Sequence, residues 1–176
     1  MKKYFLIAFL LCTTFGAFAQ KFAYVDTEYI LKHMPEYKSA LSQLEVASKQ
    51  WQQQVDQNFG EIDKMYKAYQ ADQVLLTDDM RKRRENEIIE KEKAAKEFQR
   101  QKFGPDGDLF QSRIKLIKPV QDKVADAIKQ IAKAKFLDFI FDKSSEATMM
   151  IYASSSYDVS NDVIVKLGYK PGAAKN

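Results

Sequence analysis

The sequence predicts an α+β protein that is mostly helical, with a long antiparallel coiled-coil arm and a small β body completed by self-association. Apolar residues recur every seven positions over five heptads from Met34 onward, a pattern typical of a coiled-coil helix. Aromatic and β-branched runs that read as strands lie near the two ends of the chain. Only six glycines and four prolines occur, and 30% of the residues are charged, which favours long solvated helices.

Residues 1–19 are predicted to be a secretory signal peptide. Lys2 and Lys3 form a basic start, an apolar run covers residues 4–15, and small residues at Ala17 and Ala19 suit signal peptidase. The apolar run is shorter than the ~20 residues that a membrane-spanning helix needs. We therefore expect cleavage after Ala19 and a location outside the cytoplasm.

The composition of the mature chain argues against most kinds of catalytic site. Cys12 leaves with the signal peptide, so disulfides and cysteine-bound metals are excluded, and His33 is the single histidine. No Gly-rich phosphate loop, histidine metal motif or G-x-S-x-G elbow occurs. We predict no enzyme activity and no catalytic, cofactor-binding or metal residues. Loss of Lys2 and Lys3 lowers the formal net charge from +4 to about +2, which together with secretion argues against nucleic-acid binding.

The first half of the mature chain predicts a strand followed by a very long helix. Residues 22–25 read as a strand ending at Asp26, and Thr27 is expected to cap a short helical turn. The long helix begins at Pro35 and runs to about Ala71, roughly 55 Å, so it is expected to protrude. Its a positions are Met34, Leu41, Ser48, Val55, Ile62 and Tyr69, and its d positions are Tyr37, Leu44, Trp51, Asn58 and Met65.

A second helix is expected to return along the first after an apolar tip at residues 73–76. Thr77 can cap it, and the helix extends to about Phe103 with few apolar residues, so it is expected to be largely solvated. Residues 103–107 interrupt the helix with turn chemistry, and a third helix follows with Asp108 as its expected cap. Its apolar seam is Phe110, Ile114, Ile117, Val124, Ile128 and Ile131, with a bend expected at Pro119.

The C-terminal part predicts two more strands and a short helix. The strands are expected at residues 136–142 and 149–152, and the helix at residues 163–167, ended by Gly168. Three short strands are too few for an independent core, so self-association would complete it. The predicted division is a signal peptide at 1–19, a β-containing body from 20–34 and 136–176, and an arm from 35–135.

Several segments in order resemble the Skp (OmpH) family of periplasmic chaperones. They are Phe22-Ala23-Tyr24-Val25-Asp26, Phe103-Gly104-Pro105-Asp106-Gly107-Asp108-Leu109-Phe110, Ile117-Lys118-Pro119-Val120-Gln121-Asp122-Lys123, Phe139-Ile140-Phe141-Asp142 and Tyr157-Asp158-Val159-Ser160-Asn161-Asp162-Val163. The resemblance implies a homotrimer whose β body forms on trimerisation, with three helical arms around a cavity. It also implies a periplasmic, ATP-independent holdase without a cofactor that captures unfolded outer-membrane β-barrel proteins.

Within that hypothesis, the client-binding candidates are apolar and basic residues near the arm tip, since weak apolar contacts and positive charge suit an unfolded acidic chain. They are Lys64, Met65, Tyr66, Lys67, Tyr69, Leu75, Leu76, Met80, Arg81, Lys82, Arg83, Arg84 and Ile88. The trimer-interface candidates are Phe22, Tyr24, Phe139, Phe141, Met150 and Tyr152.

Other interpretations of these residues stay open. Met65 and Tyr69 occupy seam positions and suit packing inside the hairpin, and the run from Arg81 to Arg84 also suits a solvated helix face. The alternative function is a secreted structural coiled-coil scaffold or adaptor of the cell envelope. Peripheral contact with membrane lipid or lipopolysaccharide is compatible with the family resemblance, but no motif assigns it to particular positions.

Overall fold

A computed structural model describes residues 20–147 and 149–172, so the predicted signal peptide lies outside the described part of the chain. The described residues divide into two compact units, residues 34–123 and residues 20–33 with 124–172. The elements are β1 (Phe22–Val25), α1 (Thr27–Lys32), α2 (Pro35–Asp72), α3 (Asp78–Phe103), α4 (Asp108–Lys135), β2 (Phe139–Asp142) and α5 (Ser160–Lys166). None of the helices in these residues is long and apolar enough to cross a membrane.

The unit of residues 34–123 contains the predicted helical hairpin. Pro35 occupies the first turn of α2, where its missing N–H has no helical partner to lose. The Thr77 hydroxyl accepts a 3.4 Å hydrogen bond from the Met80 amide and caps α3, as predicted. α2 has 38 residues, about 57 Å, and packs against α3, which buries only Ile88 and Ala95. The long antiparallel hairpin with a largely solvated return helix is confirmed.

The predicted a positions of α2 are buried in the half nearer the tip, whereas near Pro35 the buried position moves by one residue. Val55, Ile62 and Tyr69 are buried as predicted, but Leu41 is 41% exposed and its neighbour Ala40 is buried instead. The reason is that the upper part of α2 packs against α3, whereas Ala40 and Leu44 pack against residues at the start of α4, including Ile117. The buried face of α2 therefore changes where its partner changes from α3 to α4, and a single seven-residue repeat does not describe both parts.

The predicted break between α3 and α4 is a tight turn that requires glycine. A Cβ atom on Gly104 would lie 2.4 Å from the Arg100 carbonyl oxygen, and one on Gly107 would lie 2.8 Å from the Gln101 carbonyl oxygen. The Gly104 amide donates to Arg100 O at 2.8 Å. Asp108 is the first residue of α4, and its carboxylate forms an ion pair with Lys102. α4 then continues through Pro119.

The other unit contains a two-stranded parallel sheet that joins distant parts of the sequence. β1 pairs with β2 in the register Phe22 to Phe139 and Val25 to Asp142. The opposite side of β1 forms an isolated parallel bridge from Tyr24 to Asp158. Both edges of β1 are therefore occupied within the chain.

The predicted third strand at residues 149–152 is wrong for this chain. These residues form no strand, and Met149, Ile151 and Tyr152 are 90%, 93% and 86% exposed. A strand needs a hydrogen-bonding partner, but both edges of β1 are taken, and residues 149–152 do not pair with the edge of β2 that stays free. β2 has no second strand partner among the described residues.

β2 begins at Phe139, three residues later than predicted, because Phe136 helps to end α4. Phe136 has φ 55° in the left-handed region, its amide donates to Lys133 O, and the Leu137 amide donates to Ala132 O at 2.9 Å. This pair of bonds is a Schellman motif, which normally uses glycine at the left-handed position. The aromatic side chain is 80% exposed.

Two predicted helix starts also need correction. Asp26, not Thr27, caps α1, since its carboxylate accepts from the Tyr29 amide at 2.8 Å. Thr27 instead donates its hydroxyl to Asp142 at 2.7 Å. α5 begins at Ser160, earlier than predicted, because the Ser160 hydroxyl donates to Asp158 and also accepts from the Asp26 amide. Gly168, with φ 87°, follows α5 as expected.

Candidate functional site

The hairpin tip exposes two apolar side chains on a rigid support. Residues Gln73–Leu75 form one 3₁₀ turn between α2 and α3. Val74 and Leu75 are 88% and 82% exposed, more than the apolar residues Tyr66 and Met80 on the flanking helices, at 50% and 51%. Sequence analysis placed Leu75 among the client-binding candidates and missed Val74. The signal for Val74 was its position inside a predicted apolar tip.

Several predicted candidates pack inside the hairpin instead of facing solvent. Tyr69 and Ile88 are buried in one cluster, against which Met65 and Leu76 pack with part of their surface covered. This is the packing interpretation that seam positions suggested for Met65 and Tyr69. These four residues therefore support the tip, while the exposed candidates are Lys64, Tyr66, Lys67, Leu75, Met80, Lys82, Arg83 and Arg84.

Hydrogen bonds fasten the two helices together just below the tip. The Tyr69 hydroxyl donates to the Glu85 carboxylate across the hairpin and accepts from the Gln73 amide group at 3.3 Å. The hydrogen bond to Glu85 raises the pKa of Tyr69 above its usual value, and burial adds to this. Arg81 donates to the Leu76 carbonyl oxygen at 3.3 Å. The exposed apolar tip is thus held in place from both sides.

The four residues of the basic cluster, 81–84, differ in whether they form ion pairs. Arg81 forms an ion pair with Asp78 at 3.2 Å, and Lys67 forms one with Asp63 at 2.6 Å. Arg81 therefore has an acidic partner that precedes the cluster in the sequence. Lys82, Arg83 and Arg84 are exposed, and no acidic partner reaches them within the described residues. These three cations and exposed Lys64 lie near the tip, where Asp72 and Asp79 are also exposed.

A face of three stacked aromatic rings covers the two-stranded sheet. Phe22 stacks on Phe139 at 5.7 Å and on Phe141 at 6.4 Å between ring centroids. These rings remain 43–53% exposed, although all three sit side by side on one face. Phe22 and Phe141 border an open cavity of about 660 Å³ whose lining also includes Met150 and Leu137.

Two trimer-interface candidates behave differently from these phenylalanines. Tyr24 is only 5% exposed, so its surface is already covered within its own unit. Burial raises the pKa of Tyr24, with a smaller contribution from the Asp158 carboxylate. Tyr152, by contrast, is 86% exposed.

The possible metal ligands among the described residues lie apart from one another. No group of three or more His, Cys, Asp or Glu side chains in residues 20–147 and 149–172 could hold a metal ion. His33 has a structural environment, with Nδ1 donating to Tyr29 O at 2.8 Å and Nε2 accepting from the Gly172 amide at 3.0 Å.

Comparisons with known proteins point to one family. The family model described as outer membrane protein (OmpH-like) matches residues 21–167. The fold is similar to a crystal structure of a candidate outer membrane chaperone (OmpH-like) from Caulobacter crescentus CB15, with a TM-score of 0.67. The two chains are 16% identical, and the match covers 86% of each. A comparison with curated proteins gives no significant match.

Proposed function

The chain belongs to the outer membrane protein (OmpH-like) family, and we propose that it is a periplasmic chaperone that holds unfolded outer-membrane β-barrel proteins without ATP. The observation that carries this proposal is the hairpin tip, where two almost fully exposed apolar side chains stand beside unpaired cations. Residues 1–19 would direct export and be removed with it, and N-terminal sequencing of the mature protein is expected to begin at Gln20.

The tip has the chemistry that a holdase needs. Unfolded barrel proteins expose alternating apolar side chains, which Val74, Leu75 and half-exposed Met80 can contact without a fixed register. Unpaired Lys82, Arg83 and Arg84 would attract an acidic chain and speed its capture. Each contact is weak, so tight binding requires several arms to contact one client. Linked weak contacts give a much higher overall affinity than any one of them alone.

We expect the several arms to come from a homotrimer assembled through the sheet. A two-stranded sheet is at best marginally stable alone, and here its phenylalanine face, the outer edge of β2 and residues 149–152 all lack a partner within the described chain. Strand pairing between copies would occupy the free edge of β2, and packing between copies would cover Phe22, Phe139 and Phe141 and fill the adjoining cavity. Sedimentation of the mature chain at micromolar concentration is expected to give a trimer mass, and a stable monomer would contradict this assembly.

The test of the proposed function is light scattering as a urea-unfolded outer-membrane barrel protein is diluted into buffer without nucleotide. We expect the mature chain to suppress aggregation at about one trimer per client. Aggregation that continues unchanged beside a folded, trimeric protein would reject the holdase and favour the structural scaffold or adaptor of the envelope.

Matched variants locate the client-binding surface. Replacing Lys82, Arg83 and Arg84 with Glu is expected to weaken capture at low salt and leave the oligomer intact, because the charge lies outside the packed seam. The control makes the same charge change at exposed Lys49, Lys91 and Lys93, elsewhere on the hairpin. Equal effects of the two triple variants would show that net charge matters and the tip does not. Peripheral contact with membrane lipid or lipopolysaccharide remains a prediction that is assigned to no particular residues.

A further inference from the structure

A groove lies at the break in the returning side of the hairpin, where α3 ends and α4 begins against the first turns of α2. It has a volume of about 450 Å³, within the range of roughly 300–1,000 Å³ that ligand pockets occupy. Six apolar residues and three polar ones line it besides Gly104: Leu41, Leu44, Phe103, Pro105, Leu109 and Phe110, with Glu45, Ser48 and Arg113.

The walls of the groove are held rigidly. Phe103 packs edge-on against Trp51, with ring centroids 6.5 Å apart. The Lys102 ammonium lies 5.2 Å from the Trp51 ring centroid and also forms an ion pair with Asp108, which ties the last turn of α3 to the first turn of α4. The close backbone approach at Gly104 leaves no room for a side chain at that position. A pocket formed in advance costs a ligand little ordering free energy.

The apolar lining is incompletely covered. Leu44 and Leu109 belong to the packed base of the hairpin, while Leu41 is 41% exposed and Phe110 is 45% exposed at the mouth. Leu41 is also the seam position that the change of partner helix leaves outward. The break therefore creates a concave apolar surface with no occupant in the described part of the chain.

Unpaired charges of opposite sign stand on the two sides of the groove. Glu45 lies on α2 and Arg113 on α4, and neither forms an ion pair or side-chain hydrogen bond within the described residues. Many other charged residues of the hairpin are paired along their own helix, as Asp63 is with Lys67. Each peptide group of an extended chain carries an N–H donor and a C=O acceptor, which a carboxylate and a guanidinium can bind.

We propose that this groove binds a segment of an unfolded chain in extended conformation, with one large apolar side chain in the pocket and the adjoining peptide groups between Glu45 and Arg113. The inference rests on the proposed holdase function and names a second contact point on each arm, separate from the tip. Every second residue of an extended segment points to the same side, so a strand with alternating apolar residues presents a suitable side chain each time it shifts by two residues. An aromatic or branched residue gains most because Leu41 and Phe110 are covered together.

The experiment uses the absence of cysteine from residues 20–176. A single cysteine replacing Ser48, labelled with an environment-sensitive fluorophore, reports on the groove of the full mature chain. The probe is a peptide of about ten residues with alternating phenylalanine and serine, the length of a barrel strand. A peptide with alanine in place of phenylalanine is the control ligand. We expect a blue shift with the phenylalanine peptide only.

Three variants in the same labelled background then test the lining. Leu41→Gln is expected to weaken phenylalanine-peptide binding about fivefold to tenfold, because one partly exposed apolar contact is removed. Val46→Gln is the matched control on the same helix, 54% exposed and outside the groove, and should leave binding unchanged. Arg113→Gln should weaken binding without altering helix content, which separates ligand contact from folding.

Specific results would overturn the inference. Equal weakening by Leu41→Gln and Val46→Gln, or no blue shift with the phenylalanine peptide, would show that the groove binds no side chain. A lower oligomer mass in Leu41→Gln would assign the groove to contact between copies. The aggregation assay separates the two proposals, since a wild-type chain that suppresses aggregation without using the groove overturns only this inference. A wild-type chain that suppresses no aggregation overturns both.

Discussion

Asp142, at the end of β2, connects β2 to the start of α1 and to the turn at Ser144 through hydrogen bonds to its carboxylate. Its oxygens accept from the Thr27 amide at 3.2 Å and the Thr27 hydroxyl at 2.7 Å, and from the Ser144 amide at 3.0 Å and hydroxyl at 2.8 Å. Thr27 is the first residue of α1, so the carboxylate also sits at the positive end of that helix. Removing it should loosen the contact between α1 and β2.

The size of the effect follows from these bonds. A typical hydrogen bond contributes about 0.5–1.5 kcal/mol net, so Asp142→Ala should cost about 3 kcal/mol, less than the full sum because the half-buried site admits water. Asp142→Asn keeps one oxygen in place, and that oxygen receives three of the bonds. We therefore expect a loss of about 1 kcal/mol for Asn.

The same carboxylate predicts a pH dependence with a defined sign. Burial acts to raise the pKa of Asp142, but the hydrogen bonds from Thr27 and Ser144 outweigh it and hold the pKa below its usual value. A lowered folded-state pKa stabilises the protein fully above the unfolded-state pKa of about 3.9. That stabilisation is lost as the pH falls through the folded-state pKa.

The assay is urea unfolding followed by circular dichroism at neutral pH and at pH values below about 4, at fixed protomer concentration, since association adds to apparent stability. The difference between wild type and Asp142→Asn should shrink toward zero at the acid end. A difference that stays constant with pH, or a cost below about 1 kcal/mol for Asp142→Ala, would refute the assigned role of this carboxylate.

Two further predictions concern backbone conformation. Gly60 lies inside α2 with nothing within 4 Å of the place that a Cβ atom would occupy, so Gly60→Ala should stabilise the hairpin by about 0.5–1 kcal/mol, whereas Gly104→Ala should destabilise it by about 1–3 kcal/mol. Thermal unfolding of the two variants measures both, and the same sign for both would contradict the tight turn. Phe136→Gly should stabilise the chain by about 1 kcal/mol, because the left-handed conformation strains a residue with a Cβ. Measured loss of stability instead would indicate that the exposed Phe136 ring packs against another copy.

Much of the fold follows from the sequence because its signals are local. The seven-residue repeat, Pro35 and the Thr77 cap act within a few residues of themselves, and the hairpin begins and ends where they indicate. The OmpH-like family was also recognisable from short ordered segments. The exposed apolar tip was predictable in outline, since its apolar residues lie between two strong helix signals.

The predictions were wrong where the structure of a segment depends on a packing or pairing partner that is distant in the sequence. Residues 149–152 have strand composition, but composition does not reveal whether a neighbouring strand is free. Phe136 reads as part of a strand, yet its position after α4 places it in a helix cap. Leu41 holds a seam position, and the change of partner helix at the break turns it outward. Burial of Tyr69 and Ile88 likewise depends on how two helices face each other across the hairpin.

The parallel pairing of β1 with β2 has a consequence for how the chain is made. The backbone of Lys21 bonds to Asp138, a residue 117 positions later, whereas the hairpin contacts are far closer in sequence. Synthesis and export both deliver the N-terminus first. More than two thirds of the polypeptide must therefore be synthesised and exported before β2 is available to pair with β1. Contacts that close long loops form late. A protein proposed to bind unfolded chains therefore has an unpaired aromatic strand of its own early in folding. Its helical hairpin forms before β2 covers that strand.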